Sequence, residues 1–420
     1  MREMKDSGLQ WAGNIPYDWN TTKGKYFMAI LERPIKDDDG VITCFRNGEV
    51  TLRANRREDG FTIATVEAGY QGIEPGDLVI HGMDGFAGAI GISDSRGKGT
   101  PALNVLACSE NKKYIMYLLR AMAYTEVFMA LSTGIRVRTC DTSWKKLRSL
   151  DYLIPPEEEQ QSIADFLDAK CAEIDTLTAD IQTQIDTLEQ YKRSVITETV
   201  TKGLDPDAEM KDSGIEWVGE IPAHWLVHPV YYYYGERKNK NYLGKEDNLL
   251  SLSYGRVVRK DINTSDGLLP ESFNTYNIVE TGDIIIRPTD LQNDKRSLRT
   301  GLVKEHGIIT SAYIDLCPIK QVDSRCFYFL LHAYDVMKVF YNMGNGVRQG
   351  LNYSEFSRLM VFEPPYDVQV AMADYLEAKV EEVDVVISDK KAQLATLDEY
   401  KKSLIFEYVT GKKEVSEGAD

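Results

Sequence analysis

The feature that most constrains this fold is a segment that occurs twice. Residues 3–19 read EMKDSGLQWAGNIPYDW, and residues 209–225 read EMKDSGIEWVGEIPAHW. Trp11 and Trp217 are equivalent, so the copies lie 206 positions apart, about half of the 420-residue chain. We call each of these segments a leader. A repeat of this length predicts a chain built from two copies of one unit.

A region of mixed character follows each leader, at 20–154 and at 226–363. In the first region, Val79-Ile80 and Ala89–Ile92 are typical of short strands between glycine-rich turns, and 113–131 has the apolar spacing of a helix. The second region repeats a Gly-Asp pair before an apolar strand, at Gly282-Asp283. Strands, turns and one packed helix predict an α/β domain in each copy.

A long helix is predicted after each mixed region. Pro155-Pro156 and then Glu157–Glu159 mark a helix start, and no Gly or Pro follows until Gly203. Pro364-Pro365 opens the second helix. Apolar residues recur at seven-residue spacing in both helices, and Lys390 interrupts this pattern in the second. The spacing predicts a coiled coil whose two helices pair within the chain. The residues are Leu167, Ile174, Ile181 and Leu188 in the first helix and Leu376, Val383, Leu397 and Leu404 in the second.

The expected architecture is therefore an α+β tandem repeat with a pseudo-two-fold axis. Two globular α/β domains are separated by two long antiparallel coiled-coil helices. The predicted boundaries are 1–154 for the first leader and mixed region, 155–203 for the first helix, 204–363 for the second leader and mixed region, and 364–415 for the second helix.

The charge distribution is uneven along the chain. The net charge is −16, but residues 20–154 carry 18 basic and 16 acidic groups, and residues 226–365 carry 17 and 16. The helical segments 157–202 and 366–415 carry 4 against 11 and 7 against 11. The acidic excess thus lies largely on the helices, and the overall charge does not exclude nucleic acid as a ligand of the mixed regions.

A rigid helical spacer with a different domain in each copy suits a linear target read in two halves, and duplex DNA is such a target. Arginine can pair with guanine and glutamine with adenine, while lysine mostly contacts phosphate. The Gly-flanked arginine segments 134–138 and 346–350 recur at matching places in both copies. The candidate DNA contacts are Arg53, Arg56, Arg57, Lys98, Arg136, Arg138, Lys145, Lys146, Arg256, Arg259, Lys260, Lys295, Arg296, Arg299, Arg348 and Gln349.

Signatures of enzymes and membrane proteins are missing from the sequence. The six cysteines stand apart with no C-x-x-C pair, and the five histidines are scattered, so no metal site is predicted. Gly85–Gly91 does not have the spacing of a dinucleotide loop, and no phosphate-binding Gly-Lys-Thr loop or methyltransferase Asn-Pro-Pro-Tyr motif occurs. No signal peptide or membrane helix is predicted. We expect a non-catalytic, cytoplasmic protein.

The leader 211–222 with Trp225, and Pro155-Pro156 with Gln160 and Ile163, resemble the corresponding parts of specificity (S) subunits of type I restriction-modification systems. The resemblance covers essentially the whole chain. It implies two target recognition domains, each reading one half of an asymmetric bipartite site. It also implies that the helices dock methyltransferase (M) subunits and, through them, restriction (R) subunits. S-adenosylmethionine, ATP and Mg are then expected on the partner subunits only, with no cofactor on this chain.

Two alternatives remain open. The same DNA-recognition module can serve another modification or defence complex. A two-headed coiled-coil scaffold that binds proteins and has no DNA role would share the architecture. The second Pro-Pro pair also departs from the expected pattern, because Tyr366-Asp367-Val368 replaces the acidic triplet. We expect the second helix start to be less well capped.

Overall fold

The computed structural model describes residues 2–56, 68–130, 142–263, 272–289, 291, 298–343 and 350–415. These residues form two compact units, 1–181 with 392–420 and 182–391. Each unit therefore holds one mixed region, the start of one long helix and the end of the other. The predicted boundaries of the four segments stay a prediction.

The first copy contains twelve short strands and three helices in its described part before the first long helix. The strands are β1 (Met4–Asp6), β2 (Asn14–Pro16), β3 (Asn20–Lys23), β4 (Met28–Ile30), β5 (Ile42–Cys44), β6 (Val50–Leu52), β7 (Gln71–Ile73), β8 (Leu78–His81), β9 (Ile90–Ile92), β10 (Gly97–Gly99), β11 (Leu103–Cys108) and β12 (Asp151–Ile154). The helices are α1 (Lys112–Tyr124), α2 (Val127–Ala130) and α3 (Trp144–Leu147), and the long helix is α4 (Glu157–Lys202).

The second copy repeats this order. Its strands are β13 (Met210–Asp212), β14 (Glu220–Pro222), β15 (Leu226–Pro229), β16 (Tyr234–Glu236), β17 (Leu250–Ser253), β18 (Arg256–Arg259), β19 (Asn277–Val279), β20 (Ile284–Ile286), β21 (Thr300–Leu302), β22 (Gly307–Ile309), β23 (Ile314–Pro318) and β24 (Met360–Glu363). Its helices are α5 (Ser324–Val336), α6 (Tyr353–Phe356) and the long α7 (Tyr366–Val409).

The two copies share one strand topology. A four-stranded antiparallel sheet runs β4-β11-β8-β9 in the first and β16-β23-β20-β21 in the second. Every two-stranded pairing of the first copy also has its counterpart, for example β5 with β6 and β17 with β18. The mixed regions differ in sequence, yet their described parts follow the same plan, as a duplicated unit requires.

The helix predicted at 113–131 is interrupted. α1 and α2 are separated at Glu126, whose φ of 62° lies in the left-handed region. Lys338, at the corresponding place after α5, also has a φ of 62°. A left-handed residue ends an α-helix because its carbonyl no longer points along the helix axis. The apolar spacing continues across this break, so the pattern alone predicted a single helix.

The long helices pair antiparallel inside each unit. In the first unit, Lys401 Nζ lies 2.6 Å from Asp175 Oδ1, and the rings of Phe166 and Tyr408 have centroids 4.4 Å apart. In the second unit, Lys192 Nζ lies 2.7 Å from Asp384 Oδ1. The 46 and 44 residues of α4 and α7 contain no break. The predicted α+β class with long antiparallel helices is confirmed.

A buried glutamine joins each mixed region to its helix. Gln160 accepts a hydrogen bond from the main-chain N–H of Asn111 at 3.0 Å and donates to the carbonyl of Pro155 at 3.0 Å. Asn111 is the N-cap of α1. The second copy has the same contacts, because Gln369 accepts from the N–H of Asp323 at 2.9 Å and donates to the carbonyl of Pro364 at 2.8 Å. Each glutamine thus satisfies polar groups that burial would otherwise leave unpaired.

The leader is a hairpin that braces the helix start in the first unit. Trp19 is fully buried, and its Nε1 donates to Glu159 Oε2 at 2.9 Å. Arg2 adds hydrogen bonds to Glu159 at 2.9 Å and to Asp18 at 2.7 Å.

The second leader lacks this network. The buried Nε1 of Trp225 has no hydrogen-bond partner among the described residues. Val368 stands at the position equivalent to Glu159 and has no carboxylate to accept this bond, although Asp367 lies in the same first turn. The expected weaker capping of the second helix stays a prediction.

Candidate nucleic-acid interface

The first basic cluster lies beside the β5–β6 hairpin. Arg53 opens a 3₁₀ turn directly after β6, and its Nε donates to Thr43 Oγ1 at 3.0 Å. Arg56 is exposed, with its guanidinium 4.2 Å from the ring centroid of Phe45 and 3.1 Å from Glu49. These contacts hold both arginines against one hairpin while leaving the charge of Arg56 open to solvent. Arg57 lies outside the described residues.

The other lysines predicted in the first copy occupy two different elements. Lys98 is half-buried in β10, and its main-chain N–H donates to the carbonyl of Gly40 at 2.8 Å. Lys145 is exposed and Lys146 half-buried on the short helix α3. Lys98 lies against the β5–β6 hairpin, because it forms a bridge with Val41, whose carbonyl accepts from the main-chain N–H of Arg53 at 2.9 Å. Arg136 and Arg138 lie outside the described residues.

The second basic cluster lies on the β17–β18 hairpin. Arg256 and Arg259 begin and end β18, and Lys260 follows as an exposed residue. Arg256 forms an ion pair with Asp384 of α7, and Arg259 with Glu305 at 2.8 Å. Both arginine side chains nevertheless keep 66% of their surface exposed. They therefore remain accessible to a ligand.

The structure corrects the prediction that Arg299 contacts DNA. Its side chain is fully buried, with Nε donating to the Tyr341 hydroxyl at 3.0 Å and its main-chain N–H donating to Asp335. Burial raises the pKa of Asp335, while hydrogen bonds and the charge of Arg299 act in the opposite direction. A side chain that is fully buried in the core cannot contact DNA, so this prediction is wrong. The sequence showed only a polar context around Arg299 and gave no sign of its burial.

The remaining basic candidates of the second copy, Lys295, Arg296, Arg348 and Gln349, lie outside the described residues. Their proposed role, like that of the Gly-flanked segments 134–138 and 346–350, stays a prediction.

The apolar stripe of the helices is occupied within the chain. Leu167, Ile174, Ile181, Leu376, Val383 and Leu404 are buried, and Leu188 and Leu397 are half-buried. These side chains belong to the contact between the helices and to the cores of the two units, so they do not offer a surface to a partner subunit. These residues mark the two helices that are predicted to bind the partner subunits, and that role of the helices stays a prediction. The large apolar side chains that remain exposed on the helices are Leu177, Tyr191, Tyr366, Tyr375, Val385, Val386 and Tyr400.

Sequence reasoning passed over one residue at the tip of the second hairpin. Tyr254 is 89% exposed and has a φ of 47°, and Gly255 follows with a φ of 78°. Two positive φ values in a two-residue turn match the twist of a β-hairpin. The sequence pattern that indicates this turn is a Tyr-Gly pair between two runs in which apolar and polar residues alternate.

Cys44 and Cys326 are buried cysteines. Burial raises the pKa of Cys44 and Cys326 to about 12, which makes these thiols poor nucleophiles. Within the described ranges, no group of three His, Cys, Asp or Glu side chains is placed to hold a metal ion. Across the same ranges, no helix combines the length and apolar character that crossing a membrane requires.

Two curated relatives from Methanocaldococcus jannaschii are similar to this chain. One, provisionally named type I restriction enzyme MjaX specificity subunit, is 24% identical over 436 aligned positions, covering 95% of each protein. The other, the type I restriction enzyme MjaVIII specificity subunit, is 25% identical over 329 positions, covering 72% of each. No protein-family model matches the chain.

A solved chain from work on complex assembly and conformational transition of the type I R-M system has the same fold. Its TM-score is 0.67 at 11% identity, with 95% of this chain and 99% of that chain covered. This likeness bears on the fold, while the sequence matches bear on the family. Along nearly its whole length, the chain is similar to type I restriction enzyme specificity subunits, and the resemblance predicted from the leaders and the paired prolines is confirmed.

Proposed function

We propose that this chain is a sequence-specific DNA-binding subunit that recognises a bipartite asymmetric site, one half by each mixed region. We call the mixed regions, 20–154 and 226–363, reader domains. One observation carries the proposal: the reader domains share a strand topology while the corresponding hairpins present different basic side chains. One scaffold with two different basic surfaces suits a target with two different halves.

The partners follow from the same proposal. The chain directs methyltransferase subunits, and restriction subunits through them, to the DNA that it binds. S-adenosylmethionine, ATP and Mg bind to those partners, and we assign no catalytic step and no cofactor to this chain. The complex works in the cytoplasm. The acidic, tyrosine-bearing outer faces of the helices support partner docking, because exposed aromatic side chains are favoured at protein interfaces.

An exchange of one reader domain tests the proposal. Methylation mapping in cells that express the chain with its methyltransferase partner should give a split motif modified on both strands. Replacing residues 20–154 with the corresponding domain of another specificity subunit should change one half of that motif and leave the other half intact. A change in both halves would refute the assignment of one half-site to each reader domain.

Binding measurements separate base contacts from phosphate contacts. The purified complex should bind the mapped duplex with strong salt dependence, since phosphate contacts release counterions. Arg136→Ala should relax recognition at one half-site, and Arg348→Ala at the other. Equal loss at both half-sites in either variant would indicate a general phosphate role. No preference over a scrambled duplex would favour the protein-binding scaffold instead.

A further inference from the structure

Asp384 connects three elements of the second unit. It lies on α7 and pairs with Lys192 of α4, with 2.7 Å between Nζ and Oδ1. Its other carboxylate oxygen, Oδ2, pairs with Arg256 of the β17–β18 hairpin. One carboxylate thus holds the helix pair together and also holds a candidate DNA contact of the reader domain.

The first copy has the helix contact without the reader contact. Asp175 and Lys401 stand at the positions equivalent to Asp384 and Lys192, and their side chains are 2.6 Å apart. The strand registers place Glu49 at the position of Arg256, and Glu49 pairs with Arg56 inside its own hairpin at 3.1 Å. Among the described residues, an ion pair therefore links the hairpin to the long helix in the second copy and not in the first.

The two hairpins are also anchored differently to their own domains. Arg120, the ninth residue of α1, is buried and donates to the carbonyls of Gly48 at 2.9 Å and Ile90 at 2.8 Å. His332 is the ninth residue of α5, and its buried Nδ1 has no hydrogen-bond partner among the described residues. The shorter imidazole cannot reproduce both bonds of the guanidinium.

A cavity of about 110 Å³ lies beside His332, between the hairpin tip and the helices of the same unit. The Tyr328 hydroxyl donates to the carbonyl of Gly255 at 3.0 Å, and the Arg256–Asp384 pair supplies a second attachment of the tip. A void removes packing contacts from the groups that line it. The tip of the second hairpin thus lies over a poorly filled space, whereas the other end of β18 is fixed by the pair of Arg259 with Glu305. Because the Arg256 side chain is largely exposed, a change of partner there displaces little packing.

We propose that Asp384 is a positioning residue that holds Arg256 in the DNA-free chain and releases it to a DNA phosphate when duplex binds. The Arg256 side chain is exposed enough for a phosphate to reach it. A phosphate competes for the guanidinium, and the Asp384 carboxylate keeps Lys192 as its counter-charge after Arg256 leaves. DNA binding by the second reader domain is in this way coupled to the ion pair between α4 and α7. The inference rests on the proposed DNA-binding function.

The test is a double-mutant cycle in the full chain, purified with its methyltransferase partner. The probe is a labelled duplex of the split motif found by methylation mapping, and fluorescence anisotropy gives Kd. Asp384→Asn should bind about two- to fivefold more tightly, because a partly exposed ion pair no longer has to be broken. Arg256→Gln should bind more weakly than the wild type. Adding Asp384→Asn to Arg256→Gln should then change nothing further.

Asp175→Asn is the matched control, because it removes the equivalent helix contact and leaves every reader arginine as it was. Its Kd should equal that of the wild type. The proposal is overturned if Asp384→Asn leaves Kd unchanged or weakens binding. It is also overturned if Asp384→Asn tightens binding equally in the Arg256→Gln background, which would indicate a general charge effect. A wild-type complex that does not prefer the motif over a scrambled duplex instead refutes the DNA-binding function itself.

Discussion

Asp315 is a buried acid whose replacement should stabilise the second unit. It lies on β23 of the four-stranded sheet, where neither carboxylate oxygen has a hydrogen-bond partner among the described residues. The nearest cation is Arg237, whose Nε lies 4.0 Å away and is shared with Asp283 at 2.7 Å. In the first copy, the strand register places Val105 and Leu31 at the positions of Asp315 and Arg237.

The size of the effect follows from proton linkage. Burial and the negative charge of Asp283 raise the pKa of Asp315 from 3.8 to about 8. Because the folded pKa exceeds the unfolded one, the unfolded chain loses its proton first as pH rises. The free energy of unfolding therefore falls by about 1.4 kcal/mol per pH unit between pH 4 and 8 and levels off above that. At pH 7 the penalty is about 4 kcal/mol.

Asp315→Val should remove this penalty, since Arg237 keeps its two bonds to Asp283, at 2.7 and 3.0 Å. Hydrogen–deuterium exchange of the β23 amides, compared with the wild type at each pH, reports the difference in the opening free energy of this unit. We expect the exchange rate of the wild type, divided by that of Asp315→Val, to grow with pH from 5 to 8. Equal rates at pH 8, or a ratio that does not vary with pH, would refute the reasoning. Val105→Asp is the reciprocal control and should destabilise the first unit, because no arginine replaces Leu31 beside it.

Three further predictions concern stability. Gln369→Leu leaves the Asp323 N–H and the Pro364 carbonyl unpaired, so it should lower the free energy of unfolding of the second unit by about 1–3 kcal/mol, measured by urea titration. Arg299→Leu should cost about 3–5 kcal/mol by the same assay, because the Tyr341 hydroxyl and the Thr289 carbonyl lose a buried donor and Asp335 loses a nearby positive charge, whereas the exposed Arg259→Ala should stay within about 0.5 kcal/mol. Val368→Glu should raise the thermal midpoint, as its carboxylate can accept the bond from Trp225 Nε1 that Glu159 accepts from Trp19; an unchanged midpoint would contradict this.

The sequence was sufficient for the architecture because repetition and periodicity act over long stretches. The leaders, the paired prolines and the heptads of α4 and α7 each involve many residues, so local exceptions such as Lys390 do not obscure them. In the second unit this lysine reaches Gln184 of the other helix and so finds a polar partner. The strand topology of the mixed regions was less accessible, since strands of three or four residues carry little periodic signal.

The candidate site was predicted less well, because it depends on contacts between residues far apart in the chain. Arg299 and Arg259 are both basic residues near turns, yet one is fully buried and the other largely exposed. The partner of Arg256 lies 128 positions away at Asp384. Likewise, the heptad residues predicted the helix pair correctly, but the same side chains could not also serve a partner subunit, because pairing within the chain buries them.

The buried glutamines bear on how one mixed region can be exchanged for another. Gln160 and Gln369 accept their hydrogen bonds from main-chain N–H groups, those of Asn111 and Asp323, and donate to the main-chain carbonyls of Pro155 and Pro364. A bond to the backbone makes no demand on the side chain of the residue that offers it. A foreign domain with a helix start at this place can therefore keep these main-chain bonds, although Gln160 also donates to the side chain of Glu110 at 2.7 Å. Recombination at these junctions would exchange recognition surfaces between genes while keeping the attachment intact.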